Sequence, residues 1–131
     1  MKLSLLRYLL IIDAAVLFLL GALLILAPAQ VERAFHFQDL PPAIGYIIGL
    51  WGCVFATLSI GYAVAATDPL RHVVWVQVGI ARGALECVLA LFYLARGIVS
   101  FQQAGFGLVV AGLISIAYIF LYPHRQKTNT P

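Results

Sequence analysis

Three ionisable residues, Asp13, Arg82 and Glu86, sit deep inside apolar stretches of this sequence. A charge at mid-bilayer costs roughly 2.5–3.5 kcal/mol on insertion scales, so each of the three calls for a partner. Glu86 follows Arg82 at i+4, which puts both on one helix face. Asp13 and Arg82 each lie about two residues from the midpoint of their apolar stretch, on the same side of the bilayer centre if both stretches span it. The three can therefore form one cluster if the first and third spans touch. With one guanidinium and two carboxylates, the fully ionised cluster carries a net charge of −1. Two readings stand open. The cluster neutralises itself and fixes helix register, or it serves as a proton relay or a polar site for a headgroup or quinone. Trp75, Gly79 and Tyr93 fall roughly on the face of Arg82 and are candidate pocket-lining residues, although helix packing accounts for them equally well.

Other chemistry finds little support. His36, His72 and His124 lie at the ends of apolar stretches or between them, which disfavours a haem or chlorophyll ligated at mid-membrane. Cys53 and Cys87 lie inside apolar runs with no CxxC or Cys/His spacing. They are expected to be buried, inert thiols, and no metal site is expected. There is no Gly-rich phosphate loop, no HExxH and no GxSxG, and no nucleophile–base pair is evident. No catalytic residue, no cofactor and no enzymatic activity are therefore expected. An enzyme acting on a lipid has the least support of the functional classes.

The elements that must carry the cluster are set by composition. Of 131 residues, 63% are hydrophobic and 10% charged, against roughly 45–50% and about 25% in soluble domains. A bilayer accepts apolar side chains on every face of a helix, whereas a soluble fold of this size could not hide them. A spanning helix takes about 20 apolar residues. Four stretches qualify, roughly 3–27, 43–66, 73–95 and 104–122, with proline or glycine at each boundary. The expected fold is an all-α membrane protein, a single bundle of four transmembrane helices with short loops and a polar tail over 123–131. Lys2, Arg7 and the Ala27-Pro28-Ala29 step imitate a signal peptide, but the apolar run exceeds the roughly 7–15 residues of a signal core. Asp13 also interrupts it, so a helix of the mature protein is expected. In the first connection Val31, Ala34 and Phe35 share one helical face and Glu32, Arg33 and His36 the other. That pattern fits a short interfacial helix or an irregular loop.

Four spans place the N-terminus, the 67–72 loop and the C-terminus on one side, with Lys2, Arg7, Arg71, Arg125 and Lys127; the other side carries Arg33 and Arg96. Both termini are expected to be cytoplasmic. Trp75 and Tyr122 are expected at the inner interface, and Tyr46 and Phe101 at the outer. The formal charge of +3 and pI of about 9.1 reflect basic residues at helix ends, which suits topology and anionic headgroups rather than nucleic acid. Small residues mark candidate helix-packing faces: Gly45, Gly49 and Gly52 in the second span, Gly79 and Gly83 in the third. The spacing does not say whether the partner helix belongs to this chain or another.

Leu26-Ala27-Pro28, Gly49-Leu50-Trp51-Gly52 and Ala65-Ala66-Thr67-Asp68-Pro69, set within four short-looped spans, resemble the small four-helix bacterial membrane proteins grouped as DoxX-like. The resemblance covers most of the chain. In similar proteins an arginine often opens the second helix near such glycines. Tyr46-Ile47-Ile48-Gly49 has none, so no functional residue carries over. Some members are linked to membrane redox systems, including quinone-reducing thiosulfate oxidation, so the resemblance implies a bacterial cytoplasmic membrane and a respiratory or redox association. The expected function is a non-catalytic accessory or structural subunit of a larger membrane complex, such as an electron-transport complex, meeting the lipid bilayer and other subunits through its glycine-lined faces. The alternative is a small transporter or a quinone- or lipid-binding protein working through Asp13, Arg82 and Glu86.

Overall fold

The computed structural model describes residues 1–37, 40–41 and 43–123. Among these residues five helices follow one another: α1 (Lys2–Leu26), α2 (Pro28–Ala34), α3 (Ile44–Thr67), α4 (Val73–Ala95) and α5 (Phe101–Leu121). There is no strand among the described residues. The helices α1, α3, α4 and α5 are each long and apolar enough to cross a membrane, as expected of an integral membrane protein built as an all-α bundle. Pro42 and the tail from His124 to Pro131, including Arg125 and Lys127, lie outside the described residues.

Local chemistry sets the helix ends. Pro28 has no N–H to donate, which ends α1 at Leu26 and suits the first turn of α2. The segment with two open readings is thus a two-turn helix from Pro28 to Ala34, followed after its cap Phe35 by His36 with φ of 59°. At the end of α4, the Gly97 N–H donates to the Leu94 carbonyl and the Ile98 N–H to the Tyr93 carbonyl. This paired closure needs a left-handed residue, and Gly97 supplies it at φ of 67°. The helix α5 starts at Phe101, three residues before the apolar run, because Ser100 and Gln103 form a capping box in which the Ser100 N–H donates to Gln103 Oε1 at 2.8 Å.

The long helices pack as two pairs. The helices α1 and α3 cross at Gly21 and Gly52. A Cβ on Gly52 would come within 2.8 Å of the Gly21 carbonyl oxygen, and one on Gly21 within 2.9 Å of the Gly52 oxygen. The helices α4 and α5 cross at Gly83, where a Cβ would meet the Ala111 carbonyl oxygen at 2.6 Å. Close backbone approach through small residues is the usual means of helix association in lipid. Ser115 Oγ donates to the Ile80 carbonyl at 3.1 Å and strengthens the second pair. The large buried side chains, Leu6, Leu10, Tyr62, Val76 and Tyr118, join the pairs in the half of the bundle nearer the 67–72 turn. Arg7 Nη2 donates to the Thr67 carbonyl at 3.2 Å and ties the start of α1 to the end of α3 there.

The first and third spans meet through side chains: Arg82 on α4 bonds Asp13 on α1, while no Cα of α4 comes within 8 Å of one in α1. The α1 backbone packs on α3, and the α4 backbone on α5. Only side chains cross between α1 and α4.

Candidate functional site

Asp13 is the centre of the buried polar group. It points from the middle of α1 into the bundle with its side chain 1% exposed. Arg82 reaches it from α4, and its Nη2 donates to Oδ1 at 2.9 Å and to Oδ2 at 3.2 Å. Tyr118 reaches it from α5 and its hydroxyl donates to Oδ2 at 2.9 Å. Both carboxylate oxygens are thus engaged, by one cation and one neutral donor, as a carboxylate withdrawn from solvent requires.

Aromatic rings pack this group from the side of α3. Tyr62 stacks on Tyr118 with centroids 6.2 Å apart and meets Trp75 edge-on at 5.4 Å. The Arg82 guanidinium carbon lies 5.4 Å from the Tyr62 ring centroid, within cation–π range. The Tyr62 hydroxyl and Arg82 Nε and Nη1 are buried with no hydrogen-bond partner among the described residues.

Glu86 differs from Asp13. Its Oε1 lies 3.7 Å from Arg82 Nε, within ion-pair range but too far for a hydrogen bond. Its side chain is 46% exposed. It opens onto a cavity of about 380 Å³ whose wall includes Phe35, Leu89, Tyr93, Gln103 and Gly107. Gln103 also donates through Nε2 to the His36 carbonyl at 3.3 Å and holds the end of α2 against the start of α5 beside the cavity.

The structure brings Asp13, Arg82 and Glu86 into one connected group, with Glu86 at its open edge. It does not gather Trp75, Gly79 and Tyr93 into one pocket. Trp75 packs over Gly61 and Tyr62, Gly79 makes room for the Tyr118 ring, and Tyr93 alone lines the Glu86 cavity. Trp75, near the start of α4, is thus a half-buried bundle contact. Tyr122 accepts a hydrogen bond from Gln77 Nε2 at 2.7 Å, while Tyr46 and Phe101 are exposed.

The glycine faces also divide. Gly52, Gly79 and Gly83 are filled by neighbours within the chain. Gly45 and Gly49 are not: a Cβ on Gly49 would meet nothing within 4 Å, and one on Gly45 only Pro28 Cγ at 4.0 Å. Cys53 is exposed rather than buried, because it continues this same row one turn on; Cys87 is half-buried and its thiol faces the Leu108 carbonyl at 3.6 Å. Among the described residues no three His, Cys, Asp or Glu side chains converge as metal ligands would.

Sequence reasoning missed Tyr118 and Tyr62. No donor count reveals them, since a guanidinium with five N–H groups can meet both oxygens of a carboxylate by itself. No protein-family model, curated protein or solved structure matches the chain.

Proposed function

We propose that the chain is a non-catalytic accessory subunit of a larger membrane assembly, with the Asp13–Arg82–Tyr118 group acting as an internal fastener. The observation that carries this reading is the outward row Gly45, Gly49, Cys53 and Thr57 on α3. These small residues follow one another at i+4 spacing, and none is buried within the chain. Such a row lets another helix approach closely in lipid, where packing rather than the hydrophobic effect drives association. The fastener supports the same reading, since Asp13 has both oxygens occupied and offers no free base. The stretches that resemble DoxX-like proteins favour, among membrane assemblies, those of bacterial respiratory and redox systems.

The distribution of cations supports an orientation with both termini cytoplasmic. Lys2, Arg7 and Arg71 lie at the end of the bundle that holds the 67–72 turn, and Arg33 and Arg96 at the other.

Purification of the native chain in mild detergent tests the proposal. The expected result is co-migration with one or more other membrane proteins. Gly49→Leu is expected to release them while the chain stays folded, because a Cβ there meets nothing within 4 Å and Gly49 is not buried. A chain that leaves native membranes only alone or as a homo-oligomer would sink the idea.

A further inference from the structure

The polar group has an imbalance that the fastener does not use. Two carboxylates face one guanidinium, and the distances say which carboxylate holds it. Asp13 has Arg82 at 2.9 and 3.2 Å and is 1% exposed; Glu86 has it at 3.7 Å without a hydrogen bond and is 46% exposed. Glu86 is thus the carboxyl left without a hydrogen-bonded cation, and it faces the cavity. No Lys or Arg is among the described residues that line this cavity. The next basic residue beyond Glu86, Arg96 at the C-cap of α4, lies with its guanidinium carbon 4.8 Å from the Phe92 ring centroid.

We infer that the Glu86 cavity is a binding site for a lipophilic organic cation, one whose positive nitrogen or phosphorus is clothed in apolar groups. Charge complementarity names the sign of the ligand. The wall names its body: Phe35, Leu89 and Tyr93 are apolar or aromatic, and aromatic faces attract cations as well as apolar surface. Depth separates this ligand from a lipid headgroup. Glu86 lies nine residues before Ala95, the last residue of α4, or about 13 Å along the helix at 1.5 Å per residue. A strongly hydrated ammonium would have to leave the interface and its water to reach that depth, whereas a shielded cation carries its apolar coat with it. A volume of about 380 Å³ lies within the ordinary range of small-molecule sites.

Equilibrium dialysis of the purified full-length chain in dodecylmaltoside against radiolabelled methyltriphenylphosphonium tests this. Saturable binding of one cation per chain is expected. Glu86→Gln is expected to weaken it by about tenfold or more, as loss of one partner of a desolvated charge pair does. Tyr93→Ala is expected to weaken it by about three- to fivefold. Because Glu86→Gln could also lower folded yield, Gly107→Leu gives a second arm. Gly107 lines the cavity and a Cβ there meets nothing within 4 Å, so a larger side chain fills the site and leaves Glu86 in place. Gly107→Leu is expected to abolish binding in a chain that still elutes as a single folded species. Absence of saturable binding by the native chain overturns the inference, as does binding that survives both Glu86→Gln and Gly107→Leu. So does a photo-crosslinker at Leu89 that captures a membrane protein helix in native membranes, since the carboxylate would then belong to a protein interface.

Discussion

A single nitrogen of Arg82, Nη2, donates to both carboxylate oxygens of Asp13, although the two helices that carry these residues do not pack on each other. The bond therefore spans the junction between the α1/α3 pair and the α4/α5 pair. A contact of this kind fixes how the pairs register without demanding that backbones approach, because the long Arg side chain covers the gap.

Removal of either partner should be costly and removal of both should not. Asp13→Asn leaves the Arg82 charge buried with Glu86 too far away to accept a hydrogen bond, and loss of one member of a buried pair typically costs about 3–5 kcal/mol. Unfolding in detergent, followed by circular dichroism against added SDS, should show a lower midpoint for Asp13→Asn and for Arg82→Met. The double change Asp13→Leu with Arg82→Met should recover most of the loss, since apolar replacement of a whole buried pair is often neutral. Equal midpoints for the native chain and both single variants would mean that the pair does not hold the bundle together.

The two buried tyrosines should respond in opposite ways to loss of the hydroxyl. Tyr118 donates to Asp13 Oδ2 at 2.9 Å, so Tyr118→Phe withdraws a hydrogen bond from a buried carboxylate, at a cost of about 1–3 kcal/mol. The Tyr62 hydroxyl has no partner among the described residues. Tyr62→Phe keeps the ring stacked on Tyr118 and removes an unsatisfied polar atom, so the SDS midpoint should stay level or rise. A fall for Tyr62→Phe as large as that for Tyr118→Phe would contradict the assignment of donors.

How much of this was legible in the sequence follows from which physics is local. The four spans were legible because about 20 apolar residues in a row have few other uses. The matched depth of Asp13 and Arg82 was legible because helix rise converts residue counts into distance. Which helices pair was not legible. Gly45/Gly49 and Gly79/Gly83 have the same spacing, yet only the second pair is filled from within the chain, because rotation of each helix about its axis is fixed by contacts elsewhere. Tyr118 was hidden for a related reason. Its Cα lies three residues from the end of α5, where a tyrosine reads as an interface anchor. Helical side chains lean toward the N-terminus, which in α5 carries the hydroxyl back into the bundle. The start of α5 carried a local signal that hydropathy alone passed over, the Ser100-x-x-Gln103 box.

Gln103 joins that cap to the cavity beside Glu86, and its loss should loosen both. Its Oε1 accepts from the Ser100 N–H at 2.8 Å and its Nε2 donates to the His36 carbonyl at 3.3 Å. One side chain thus starts α5 and holds the end of α2. Gln103→Ala removes both bonds; loss of a capping interaction costs typically about 1 kcal/mol. Both bonds are exposed, so water replaces part of what is lost and the global SDS midpoint should fall only slightly. The larger effect should be local. Amide hydrogen exchange in detergent should quicken at Ser100 and through the first turn of α5, and at Phe35 and His36, while the amides around Gly83 and Ala111 keep their protection. Gln103→Glu separates the two bonds, because a carboxylate still accepts from Ser100 but cannot donate to His36. Exchange should then quicken at Phe35 and His36 and stay slow at Ser100. Unchanged exchange at His36 in both variants would show that α2 is held by its Phe35 contacts and not by Gln103.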